Sequence, residues 1–156
     1  VGDFYQTPKM IGDISDFRKL LEKEWVKKAV EKFDAEEISE LEEIIGRYES
    51  HYNTLTIDNY KDKLDEILDL EQEYLAYMAN MSGNSIYPIL LPMVTSLIRR
   101  HSTTIYDRAA DGFTETDMIG QDGVFRAEGL LPKKVLEFIK ARDWQGAWQL
   151  YEHIAF

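Results

Sequence analysis

Arg100 and His101 stand side by side at the end of a strongly apolar stretch, and together they could bind an anion. A guanidinium presents a planar fork that matches a carboxylate or phosphate bidentately, and an imidazole adds a donor that titrates near neutrality. At the mouth of an internal cavity the pair would grip the head group of a ligand whose apolar part lies inside. The same two side chains would equally serve as ordinary surface cations answering acidic helices. Asp58, Asp62, Asp65, Asp69 and Glu73 recur near every fourth residue. They either gather carboxylates for a metal or form a solvated helix face, which is the commoner use of such a pattern. Glu71, Glu73 and His101 could act as acid–base or metal-binding groups of a helical enzyme. His51, His101 and His153 could meet on a metal only through folding, since no two are three or four residues apart. The sequence contains no glycine-rich phosphate loop, no Gly-x-Ser-x-Gly turn and no His-Glu-x-x-His pair.

Composition narrows the choice. With 18 Lys and Arg against 29 Asp and Glu, the net charge is −11. Non-specific nucleic-acid binding depends on cations displacing counterions from phosphates, so this chain should be repelled by DNA. Its longest basic run is Arg99-Arg100, and any action on DNA would need another domain. There are 0 cysteines, which excludes disulfides, thiolate metal sites and a cysteine nucleophile and suits a reducing cytoplasm. The 156 residues fit one domain. No apolar run reaches the ~18–20 residues of a membrane span. The opening Val1-Gly2-Asp3-Phe4 does not read as a signal peptide. The missing initiator Met and the uncapped end at Phe156 suggest a piece of something longer.

Apolar residues recur at helical spacing, which predicts six helices and no clear strand. The first covers about 16–32, with Phe17, Leu20, Leu21, Trp25, Ala29, Val30 and Phe33 as its stripe and Ser15 or Asp13 as cap. The second follows Asp34, a capping residue, with Ile38, Leu41, Ile44, Ile45 and Tyr48 facing inward. The third, about 57–80, ends at a break where Gly83 supplies a left-handed residue. The fourth, about 85–110, is apolar nearly all round and reads as the buried central helix, kinked near Pro92. A loop over 111–123 leads to a fifth helix, about 126–141, and Asp143 caps a sixth. The aromatic residues, 12% of the chain, could line a cavity, though more often such residues are plain core.

The segment from Leu70 to Tyr87, an amphipathic helix ending in Ser82-Gly83-Asn84 and followed by Ile86-Tyr87 and a long apolar helix, resembles the C-terminal effector-binding domain, of FCD or FadR type, of GntR-family transcription regulators. Leu90-Leu91, Leu97 and Arg100 follow where that family has an apolar stripe and then an arginine. The run from Val135 to Ala147 is similar to its closing helix pair. The resemblance, over about residues 35–156, implies an all-α, six-to-seven-helix antiparallel bundle around an internal ligand cavity. It implies a homodimer that touches DNA only through a winged-helix domain outside this chain, and a small-molecule effector such as an acyl-CoA, a fatty acid or another organic acid. The lining it implies is Leu75, Met78, Val94, Leu97, Ile98, His101 and Ile105, with Arg100 and His101 at the polar end. Many relatives hold a divalent metal with one carboxylate and three histidines. Those positions fall on Glu71, on Leu75, near Pro132 and at Ile154 beside His153, so neither metal nor cofactor is expected. The leading expectation is therefore a non-enzymatic ligand-sensing domain of a bacterial regulator. A helical metal-dependent enzyme and a ligand-free interaction bundle are the alternatives.

Overall fold

A computed structural model of the chain describes residues 7–112, 119, 122–125 and 130–154. Among the described residues there are six helices: α1 (Pro8–Lys32), α2 (Ala35–Tyr52), α3 (Tyr60–Met81), α4 (Tyr87–Ala110), α5 (Leu131–Lys140) and α6 (Trp144–His153). Among the described residues strand pairing is limited to two isolated bridges, Thr56 with Val124 and Ile119 with Phe125. The molecule is an all-α bundle, as the periodicity predicts. No described helix is long and apolar enough to cross a membrane.

Helix α1 begins well before residue 16. Thr7 caps it, accepting from the Met10 amide at 3.2 Å, and Pro8 fills the first turn, where a missing N–H costs nothing. The Thr-Pro pair is the start signal, and Ser15, expected as a cap, is instead buried inside the helix. The stripe is also rotated from the expected one. Leu20 is 71% exposed, whereas Arg18, Leu21, Glu22, Trp25, Val26 and Ala29 are buried. Helix α2 opens with the expected cap: Asp34 accepts from the Glu37 amide and the Glu37 carboxylate accepts in turn from the Asp34 amide.

Helices α2 and α3, and α3 and α4, pack antiparallel, and side chains fix their register. Tyr77 of α3 donates to the Glu37 carbonyl and to Glu40 on α2. Arg99 of α4 forks onto Asp65 and Asp69 of α3, so the acidic face of α3 is partly a docking strip for one arginine. Gly83 takes the left-handed conformation expected of it, at φ 84°. Arg142, at φ 55° between α5 and α6, sends its guanidinium to the carbonyls of Val30 and Phe33 and so closes the C-terminal end of α1.

The central helix is α1, which packs on α3, α4, α5 and α6. Helix α4 is not the buried axis that its apolarity suggests. Ile86 at its N-cap and Ile89 and Met93 on its first turns are exposed, and the helix continues through an exposed Pro92. All-round apolarity fails as a guide here because one apolar face of α4 points outward. The core has two parts. The larger is built from all six helices around Trp25, Leu75, Met78, Ile98 and Tyr151. The smaller collects Tyr48, Tyr52, Tyr60, Tyr106 and Phe125 at the far ends of α2, α3 and α4. The aromatic residues thus largely serve as core.

Gly146 shows how tightly the closing pair is packed. A Cβ there would lie 2.4 Å from Phe138 Cε1 and 2.5 Å from Asp143 Oδ2, the carboxylate that caps α6. Gly146→Ala should therefore displace the ring and cost about 1–3 kcal/mol, despite alanine's better helix propensity. A midpoint of urea unfolding equal to wild type would show that Phe138 moves aside freely.

Candidate functional site

Where the two cores meet, the interior is polar. Arg18 and Glu22 are one turn apart on the buried face of α1, and both side chains are 5% exposed. Arg18 Nε donates to Glu22 Oε2 at 2.9 Å. Its Nη1 donates to Ser102 Oγ on α4 at 2.9 Å and lies 3.2 Å from His101 Nδ1. Ser102 passes the bond on, donating to Glu71 Oε1 on α3 at 2.5 Å. The other Glu71 oxygen lies 3.9 Å from Arg18 Nη2 and is reached by the Tyr48 hydroxyl of α2 at 3.5 Å. One guanidinium thus ties three helices together, and a tyrosine brings in a fourth.

The electrostatics follow from burial. Burial alone would lower the Arg18 pKa, but the carboxylates of Glu22 and Glu71 hold it above its ordinary value. Burial pushes the Glu22 carboxyl up against the opposing pull of Arg18. Burial, with Arg18 and Arg108 adding to it, pushes the His101 imidazole down to about 3. His101 is therefore neutral. Because Nδ1 faces a guanidinium N–H and must accept, the proton sits on Nε2.

The residues expected to line a cavity are distributed as follows. Leu75, Met78 and Ile98 lie in the larger core, and Val94 packs against it half-buried. Leu97 and Ile105 are half-buried. Arg100 and His101 diverge: His101 points inward onto Arg18, while Arg100 is exposed. Glu71 joins His101 around Arg18, whereas Glu73 faces outward and holds Arg47. His51 and His153 each bond a carbonyl of their own helix. Sequence reasoning missed Arg18, Glu22 and Ser102. The available signal was a charged pair spaced i,i+4 on the same stripe as Leu21, Trp25 and Val26, since a buried charge is retained only where it is paired.

Among the described residues no three His, Asp or Glu side chains gather as ligands. Glu71, at the carboxylate position, is engaged by Ser102 and Tyr48 beside a guanidinium that would repel a cation. The buried positive charge of this bundle is supplied by Arg18.

Comparison with known proteins gives one finding. A family model described as the FCD domain matches residues 13–156. No curated protein and no solved structure is similar enough to the chain to match it. The matched span covers all six helices except the first turns of α1, and every residue of the Arg18 cluster lies within it. The chain belongs to the FCD family, the C-terminal effector-binding domains of GntR-family regulators.

Proposed function

We propose that this domain senses a small effector bearing an acid group, such as an organic acid, a fatty acid or an acyl-CoA. The acid would be read by Arg18 inside the bundle, with the apolar part of the ligand along Leu75, Met78, Val94, Leu97, Ile98 and Ile105. The observation that carries this reading is a buried guanidinium bonded to three helices in the interior of an FCD bundle. An acid arriving there competes for donors that hold α1, α3 and α4 together, so binding biases their arrangement. The bias can be no larger than the acid's difference in affinity between the two arrangements. His101 contributes a neutral Nε2–H donor, and exposed Arg100 is placed to meet an outlying charge such as a phosphate. We further propose that the domain works in the cytoplasm as a homodimer and acts on DNA through a separate winged-helix domain. It carries no catalysis, resident metal or cofactor of its own.

Calorimetric titration of octanoate, with native mass spectrometry of the purified protein for co-purified ligand, tests this. Arg18→Lys keeps the charge but loses the fork, and should weaken octanoate at least tenfold. Arg100→Ala should matter less. Unchanged affinity in Arg18→Lys would remove Arg18 from the site, and no ligand by either method would remove the acid reading.

A further inference from the structure

The Arg18 cluster is not electrically balanced. It holds one guanidinium and two carboxyl groups, all nearly enclosed by the bundle. Carrying an unpaired charge in such a place is strongly unfavourable. Among the described residues the groups acting on Glu22 include no second cation. They are Arg18 on its own helix, Glu71 and Tyr74 on α3, and Tyr151 on α6. His101 on α4 shares Arg18 and is neutral, and Arg108 acts on His101. A proton is the natural counter-charge, and the hydrogen bonds say where it belongs. Glu71 receives the hydroxyls of Ser102 and Tyr48. Glu22, among the described residues, is held by Arg18 Nε alone. Burial raises the Glu22 pKa, and the charge of Glu71 pushes the same way.

An incoming carboxylate sharpens the imbalance. With Glu22 ionised, the site would hold three negative groups around one guanidinium. With Glu22 protonated, the count returns to two, and the neutral carboxyl can release Arg18 Nε–H at little electrostatic cost. We propose that Glu22 is a proton-linked gate to Arg18: the effector acid binds only when Glu22 is protonated and takes over the Arg18 edge that Glu22 occupies in the empty domain. The domain then reports acid and pH together. This inference rests on the acid-effector reading above, and its test separates the two.

Octanoate is titrated calorimetrically into the intact domain at pH 6, 7.5 and 9, a range in which an ordinary carboxylic acid is fully ionised. Above the Glu22 pKa the affinity of wild type should fall by up to tenfold per pH unit, and by at least tenfold between pH 6 and pH 9. Glu22→Gln, a neutral group of the same shape, should hold its affinity within threefold across the range. A flat wild-type profile, or a Glu22→Gln profile that falls in parallel with wild type, overturns the gate while leaving the acid reading in place. Absence of octanoate binding in folded wild type removes the acid reading and the gate with it. If Glu22→Gln does not fold, the wild-type profile decides alone: a flat one overturns the gate, and a falling one accompanied by proton uptake in buffers of different ionisation heat supports it.

Discussion

Arg18→Met is expected to destabilise the domain by about 3–5 kcal/mol, the usual cost of removing one partner of a buried ion pair. Methionine keeps the apolar stem but lacks the guanidinium carbon and its two terminal nitrogens, so a packing loss adds to the electrostatic one. The electrostatic cost comes from what stays behind: Glu22 loses its only described hydrogen bond, and Ser102 loses the donor on its oxygen. Adding Glu22→Gln to Arg18→Met should recover part of the loss, because a neutral amide cannot ionise in a site that has lost its guanidinium. The coupling between the two positions is then read as a double-mutant cycle from urea midpoints. An Arg18→Met loss below about 1 kcal/mol would place this cluster with exposed ion pairs and contradict its burial.

Acid should unfold the domain through His101. The unfolded imidazole titrates near 6.5 and the folded one near 3, so the folded pKa is depressed for a base that is neutral when buried. The stability this provides is fully present above pH 6.5 and is lost as pH falls toward 3, at about 1.4 kcal/mol per unit. Between pH 7 and pH 5 the loss from this one residue is about 2 kcal/mol. Glu22 acts in the opposite sense. Its raised pKa penalises the folded state as pH rises through that value, so acidification relieves it. Comparing wild type with His101→Gln removes the Glu22 contribution from the difference. The variant should show about 2 kcal/mol less acid sensitivity between pH 7 and pH 5. Equal slopes in the two proteins would mean that His101 reaches water or a carboxylate when it charges.

The elements were legible where local chemistry decides them. Asp34 and Asp143 begin helices, and Gly83 ends a turn, for reasons contained within a few residues. The site was less legible. Arg100 and His101 are neighbours in sequence, but a helix turns by about 100° per residue, so adjacency sends them in different directions. Arg18 sits 83 and 84 positions from His101 and Ser102, and only the packing of α1 against α4 brings them together. The pattern of α1 did carry a clue, since Arg18 and Glu22 interrupt an apolar stripe four residues apart. Reading the stripe through Phe17 and Leu20 instead hid them. Helix α4 misled for a related reason. Apolar composition says that surface should be covered, and Ile86, Ile89 and Met93 show that this bundle does not itself cover it.

The two-part core holds α1 unevenly along its length. Its buried apolar residues from Leu21 to Val30 belong to the larger core, as does Phe33 at its C-cap, and among the described residues none of its side chains joins the smaller one. In its first half the helix is held by Arg18 together with buried Ile14 and Ser15 and by Phe17 against the larger core. Its opposite end is pinned by Arg142. A stiff rod pinned at one end, with the polar part of its hold near the other gathered on one guanidinium, can act as a lever. Loosening the hold at Arg18 would let the first turns swing without tearing apart either cluster of aromatic side chains. Because Arg18 lies about 15 Å along the axis from Pro8, a small tilt there is delivered to the leading end of the helix.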